Sequence, residues 1–127
     1  MKQKGLLVKT EHGVEICMRF GGESVFFDPT NPAARRYVWD KCRQNYYDKG
    51  IRVFWLDEAE PEYLGYDYDN YRYYLGPDIQ IGNVYPQYFS RTFYERSERS
   101  KVKKQFVNLV RCVVGWQPAL WCTRLVW

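Results

Sequence analysis

The chain has 127 residues, of which 46% are hydrophobic, 27% are charged and 19% are aromatic, and its formal net charge is +4. These values lie near globular averages, which argues against disorder, and the length allows one domain at most. The apolar runs are far shorter than the roughly 20 residues of a membrane-spanning helix. Its cysteines (Cys17, Cys42, Cys112 and Cys122) lie far apart, and the one histidine is His12. We therefore expect no metal site, and we expect reduced thiols in a cytoplasmic protein.

The positive charge is concentrated in one stretch. Residues 96–106, RSERSKVKKQF, carry a local charge of +4, so the remainder of the chain is neutral. A basic run of this length is usually a solvated loop or helix end, and no nucleic-acid recognition motif surrounds it. We therefore expect neither a nucleic acid nor a membrane as a partner.

The first half of the chain predicts a hairpin followed by a helix. Residues 14–20 and 24–27 are rich in strand formers and are separated by two glycines, which is typical of a hairpin. A helix is predicted over about 32–48, because Asn31 is a good N-cap and Pro32 suits the first helical position. Gly50 suits the position just past the helix end. The helix has an apolar stripe at intervals of four residues, formed by Ala34, Val38, Cys42 and Tyr46.

The second half predicts an α/β fold with a parallel sheet. The apolar runs 51–56 and 107–112 are typical of buried parallel strands. A helix is predicted between them over 86–95. The predicted order is a strand, a long loop, a helix and a second strand, which indicates a βα pattern.

An acidic turn, DEAEPE, follows the first of these strands directly, beginning at Asp57. Chemistry in βα folds gathers at the carboxyl ends of strands, and crowded carboxylates suit acid–base or nucleophilic work. The alternative is a solvated turn that caps the following helix. The tyrosine-rich stretch 63–74 also has two interpretations. Either its rings stack on sugar rings, or they pack the long loop against the rest of the protein.

Residues 1–95 and 107–113 closely resemble the catalytic barrel of glycoside hydrolase family 31, which contains α-glucosidases and α-xylosidases. The likeness is carried by FFDPTNPAARRYVWDKCRQNYYDKG and by IRVFWLDEAEPEYLGYDYDNYRYYLGPDIQIGNVYPQYFSRTFYE. It implies a partial (β/α)8 TIM barrel, from about the loop after the third strand to the fifth or sixth strand. It also implies an oligosaccharide or glycoside substrate and no cofactor. Specificity for glucosides or xylosides and the oligomeric state are left open.

The resemblance also implies roles for four residues. Asp57, in the family pattern W-[IL]-D-x-x-E, is expected to be the nucleophile of a retaining mechanism. Trp55 is expected to line the sugar subsite, and Arg111 is expected to contact the bound sugar. Glu60, at the last acidic position of the pattern, is expected to orient Asp57.

The sequence departs from the family in one respect that matters for catalysis. A retaining glycosidase needs an acid/base carboxylate, which the family carries on an aspartate in a W-[ST]-G-D motif on the sixth strand. No such motif occurs, and no Asp or Glu follows Arg111. We therefore expect this chain alone to be inactive, and expect an open piece of barrel to aggregate.

A reading-frame hypothesis accounts for the departure. With suitable codons, Val114–Trp127 shifted by one nucleotide reads WAGSQRYGALVWSG, which resembles the family continuation. Residues 96–106 can be recast in a similar way. On this hypothesis, 1–127 is a fragment of a single family 31 barrel in which 96–106 and 114–127 are frameshifted; the alternative is a genuine tail.

The sequence thus supports three hypotheses of different classes. The first is a retaining α-glycosidase, of which the chain carries the nucleophile. The second is a non-catalytic carbohydrate-binding remnant that uses Trp55 and the tyrosines. The third is a basic binding module acting through 96–106, which predicts steeply salt-dependent binding to nucleic acid.

Overall fold

The structure is a computed structural model, and it describes residues 1–14, 17–19, 23–57, 59, 70–98, 108–111 and 122–125. Its strands are β1 (Lys9–Thr10), β2 (Cys17–Arg19), β3 (Glu23–Val25), β4 (Phe54–Leu56), β5 (Tyr71–Tyr73), β6 (Gly76–Pro77), β7 (Asn108–Arg111) and β8 (Cys122–Leu125). Its α-helices are α1 (Pro32–Asn45), α2 (Asp78–Ile81) and α3 (Tyr85–Glu98). Short 3-10 turns flank them at Lys2–Lys4, Tyr47–Lys49 and Gly82–Val84.

The strands form three sheets. β4, β7 and β8 lie side by side in that order, and both pairs are parallel. β1, β5 and β6 form an antiparallel sheet, and β2 pairs with β3 in the predicted hairpin. The predicted parallel orientation of the strands within 51–56 and 107–112 is therefore confirmed, although regular β4 begins only at Phe54. The predicted burial of 51–56 is wrong on one face, because the side chains of Ile51, Val53 and Trp55 are exposed.

Helix α1 begins as predicted. The Asn31 side chain accepts a hydrogen bond from the Ala33 amide at 2.9 Å, and Pro32 opens the helix. This bond satisfies one of the amides that the first turn leaves without a helical acceptor.

The end of α1 differs from the prediction. The helix stops at Asn45, and the chain turns through Tyr47–Lys49 to Gly50, whose φ of 101° is in the left-handed region. Tyr46 is 51% exposed, so the predicted apolar stripe is wrong at that position. Tyr47 is buried in its place, because the break in the helix rotates the chain.

Among the residues whose burial the structure describes, two clusters of buried side chains form the core. The first lies between α1, α3 and β4 and contains Trp39, Tyr47, Leu56, Ala59 and Phe93. The second lies beside the antiparallel sheet and contains Val8, Phe26, Tyr73 and Tyr85. Phe89 on α3 packs against both clusters.

Cys42 is a free, half-buried thiol that packs against the first cluster. Burial raises its pKa, so the neutral thiol is favoured over the reactive thiolate. The side chains of the other three cysteines lie outside the described residues.

We expect Asn31→Ala to lower the free energy of unfolding by about 1 kcal/mol, since the first turn loses its cap. Urea denaturation followed by tryptophan fluorescence would measure this. Asn45→Ala is the control at the other end of the same helix, where the amide side chain bonds only to the exposed Lys41 carbonyl at 2.8 Å. An equal loss in both variants would contradict the capping role.

Asp78 is buried at the first position of α2, and its Oδ1 atom has no hydrogen-bond partner. Burial raises the pKa of Asp78 from 3.8 to about 6. Gly82 makes room for this carboxyl group, since a Cβ there would lie 2.3 Å from Oδ1.

The raised pKa of Asp78 predicts a pH dependence of stability. The folded state binds the proton of the Asp78 carboxyl more tightly than the unfolded state does. The resulting contribution to the free energy of unfolding is complete below about pH 4 and is lost as pH rises through about 6. Asp78→Asn, which stays neutral, is expected to remove this loss. Urea midpoints measured from pH 4 to pH 8 would check it, because the parent and the variant should diverge between about pH 4 and pH 6 and keep a constant difference above that. Parallel curves would contradict the prediction.

Candidate active site

The candidate site lies at the carboxyl end of the parallel sheet. Asp57 follows β4 directly, and its side chain is exposed to solvent. In the register of the two strands, Leu56 lies opposite Val110, and Arg111 is the last residue of β7. The backbones of Asp57 and Arg111 therefore lie at the same end of neighbouring strands.

Alternation along β4 separates a packed face from an open face. Leu56 is buried and Phe54 packs against the first cluster, beneath α1 and α3. Trp55 points to the other face and is 64% exposed. Asp57, two residues further on, continues this alternation on the open side. An accessible carboxylate and an accessible indole thus lie two residues apart in the chain, at one strand end.

The third strand completes the same edge. Leu125, the last residue of β8, lies opposite Arg111 in the parallel register. The strand ends of β4, β7 and β8 therefore form one row, and the residue that follows β4 in this row is a carboxylate. Val126, which follows β8 in the sequence, has no acid–base chemistry.

Other predicted site elements fall outside the described residues. Glu60 is one of them, as are most of the acidic turn and residues 63–69 of the tyrosine-rich stretch. The side chains of Arg111 and of the basic run 96–106 are also outside them. Their predicted roles remain predictions.

The described tyrosines divide between the two interpretations of their stretch. Tyr71 and Tyr73 are 6% and 3% exposed and pack the antiparallel sheet down, so for them the packing interpretation is correct. Tyr74 is 65% exposed and remains available to a ligand. The alternation of aromatic, charged and aromatic residues over 71–73, Tyr-Arg-Tyr, is the sequence signal for β5, and it matches the alternating burial of these residues.

Two further observations concern the rest of the chain. Within the residues described above, no three His, Cys, Asp or Glu side chains come together in a way that could hold a metal ion. No helix in the same part of the chain is long and apolar enough to cross a membrane.

Comparison with known proteins identifies the family. The model of the glycosyl hydrolases family 31 TIM-barrel domain matches residues 1–118. The chain belongs to glycosyl hydrolase family 31. The described sheet of three parallel strands is thus part of a TIM barrel, whose active sites lie at the carboxyl ends of the strands.

Individual relatives support the same assignment. The chain is 52% identical to an uncharacterized family 31 glucosidase, ORF2, from Pseudescherichia vulneris, over 88% of this chain and 21% of the relative. It is 32% identical to α-xylosidase A from Aspergillus niger, over 68% of this chain and 14% of the relative. Among solved structures, a family 31 α-xylosidase from a soil metagenome, complexed with xylose, matches with a TM-score of 0.78 and 48% identity. That match covers 98% of this chain and 17% of the metagenomic one.

The family 31 chain therefore spans about a fifth or less of the length of the relatives it matches. It contains one strand end with a carboxylate and the neighbouring strand ends of the same barrel edge.

Proposed function

We propose that the chain carries the nucleophile-bearing part of a retaining α-glycosidase that acts on α-xylosides or α-glucosides. The observation that supports this best is the position of Asp57, exposed and directly after β4 at the carboxyl end of a parallel sheet. The relatives named as an α-xylosidase and a glucosidase supply the two substrate classes. On this proposal β4, β7 and β8 correspond to the fourth, fifth and sixth strands of the barrel.

In the proposed mechanism, an Asp57 oxygen attacks the anomeric carbon of the sugar and displaces the leaving group, forming a covalent glycosyl ester. Trp55 lines the sugar subsite, Arg111 contacts the sugar hydroxyls, and Glu60 orients Asp57. Water then hydrolyses the ester, which regenerates the Asp57 carboxylate.

The acid/base is the part of this mechanism that the chain does not supply. A retaining pair of carboxyl groups is about 5–5.5 Å apart, so the partner would come from a neighbouring strand end. The sequence after Glu98 contains no Asp or Glu. We therefore expect the chain alone to leave 4-nitrophenyl α-xyloside and α-glucoside intact, whereas clear turnover abolished by Asp57→Ala would contradict this.

A fluoride leaving group tests the nucleophile without the acid/base, because fluoride departs without being protonated. We expect a 5-fluoro-α-xylosyl or 5-fluoro-α-glucosyl fluoride to attach its glycosyl group to Asp57, with formation of the C1–O bond and release of fluoride. Peptide mass spectrometry would locate the label. Asp57→Asn should abolish it, and Asp48→Asn, at a carboxylate that is 57% exposed, should not. Labelling elsewhere, or none, would overturn the proposal.

A second candidate function is carbohydrate binding without catalysis, which the accessible indole of Trp55 favours. It predicts that sugars bind to the chain while the fluoride label does not attach. Trp55→Ala should then weaken binding and leave the fold unchanged.

The reading-frame hypothesis also remains a proposal. If residues 96–106 and 114–127 arise from frameshifts, resequencing of the source DNA should recover a family-like continuation with the acid/base aspartate. An intact frame that encodes these residues as written would refute it.

A further inference from the structure

A cavity of about 230 Å³ opens beside the antiparallel sheet. Its lining includes Lys9 on β1, Arg72 on β5, Glu11, Asn31 at the start of α1, and Tyr74. The parallel strands and Asp57 do not contribute to this lining.

Tyr74 is an exposed aromatic side chain on a firmly held backbone. Its amide donates to Oδ2 of Asp28 at 2.6 Å, and the next amide, of Leu75, donates to Oγ1 of Thr30 at 3.4 Å. Asp28 is only 3% exposed, and a buried carboxylate is costly unless it is well bonded. Here the buried carboxylate fixes a turn that presents Tyr74, 65% exposed, at the cavity wall. Such a preorganised ring binds at a low cost in conformational entropy.

The polar groups of the cavity are balanced in charge. Lys9 and Arg72 lie directly opposite each other on adjacent strands, and Nη1 of Arg72 donates to both Glu11 oxygens at 2.9 and 3.0 Å. Together with Asp28, the lining carries two positive and two negative side chains. This balance favours a neutral ligand over an ion. Donors and acceptors beside an aromatic face are what a sugar ring needs, because it has hydroxyls at its rim and an apolar face.

We propose that this cavity binds one pyranose ring of a neutral oligosaccharide, with Tyr74 against the apolar face of the ring. Lys9, Arg72 and Glu11 hydrogen-bond to its hydroxyls. The choice of a sugar as the ligand class rests on the proposed function, whereas the site itself rests on the cavity. The cavity thus provides a second sugar site that holds an oligosaccharide by a unit other than the one at Asp57.

Ligand-observed saturation-transfer NMR on the full chain would test the proposal, with xylose, glucose and maltotriose as probes. We expect Tyr74→Ala to weaken sugar binding by up to about tenfold, since an aromatic contact is worth at most about 1.5 kcal/mol and about 1.4 kcal/mol corresponds to a tenfold change in Kd. The backbone amide of residue 74 survives this substitution, so its bond to Asp28 is kept. Tyr46→Ala is the matched control, because Tyr46 is 51% exposed on α1 and does not line the cavity.

Further variants separate this proposal from the proposed function. Asp57→Asn should abolish fluoride labelling and leave binding at the cavity unchanged. Arg72→Gln should weaken binding as Tyr74→Ala does, and it covers the case in which Tyr74→Ala fails to fold by circular dichroism. Sugar binding that is lost in Asp57→Asn but unchanged in both cavity variants would overturn the inference. The inference would also be overturned if none of the three sugars binds, or if inorganic phosphate displaces the bound sugar.

Discussion

Asp28→Ala is expected to lower the free energy of unfolding by about 3–5 kcal/mol, a larger effect than we expect for any surface carboxylate. The Asp28 side chain accepts hydrogen bonds from the Thr30 amide at 2.9 Å, the Thr30 hydroxyl at 2.6 Å and the Tyr74 amide at 2.6 Å. Truncation leaves buried donors without acceptors, each costing about 1–3 kcal/mol. Asp28→Asn should be intermediate, because it keeps one acceptor oxygen and replaces the other with a donor.

Urea denaturation at sub-micromolar protein concentration would measure the effect while keeping self-association low. The matched control is Asp48→Ala. Asp48 is exposed and lies 3.6 Å from Arg43, so its loss should cost less than about 1 kcal/mol. Equal effects of the two substitutions would show that the bonds from Asp28 to the 74–75 turn contribute little.

Val53→Lys is expected to raise the concentration at which the chain self-associates by about tenfold or more. Ile51, Val53 and Trp55 alternate along one side of the segment that leads into and through β4, and they are 49%, 66% and 64% exposed. Among the described strands, β4 is at an edge of its sheet, so an open hydrogen-bonding edge and an apolar face coincide. Burying a valine contributes about 1.5–3 kcal/mol to association, and a lysine at this position opposes it.

Sedimentation velocity over a concentration series would measure self-association. Ile79→Lys is the control, because Ile79 is 73% exposed on α2, outside the β4 segment. If both substitutions improve solubility equally, general surface hydrophobicity drives association and the sheet face has no special role.

The sequence predicted the parts of the fold in which local chemistry and the apolar pattern agree. The Asn31–Pro32 start of α1, the parallel strands and α3 all have such signals, and α3 extends past the predicted 86–95 at both ends. The end of α1 was not predictable from periodicity. The four-residue spacing includes Tyr46 and omits Tyr47, and only the break after Asn45 exposes the first and buries the second.

The antiparallel sheet was missed because its strands are short and far apart in the chain. β1 and β5 are separated by about sixty residues, and β1 has two residues, too few for a periodic signal. The hydrogen bond from the Tyr74 amide to the Asp28 carboxylate joins residues 46 positions apart, so no local pattern could indicate it. For the site, Asp57 was predicted because family resemblance and strand-end position agree, whereas the cavity depends on long-range pairing that the sequence does not display.

Phe89 on α3 packs against both core clusters, so a single side chain connects the packing of the two. Its ring lies 6.1 Å from that of Tyr85 beside the antiparallel sheet and 5.9 Å from that of Phe93 beneath β4. We therefore expect a ligand that stiffens the antiparallel sheet also to restrain α3, and through α3 the strand that precedes Asp57. Slower amide exchange in β4 on sugar binding at the cavity would be the signature of this coupling.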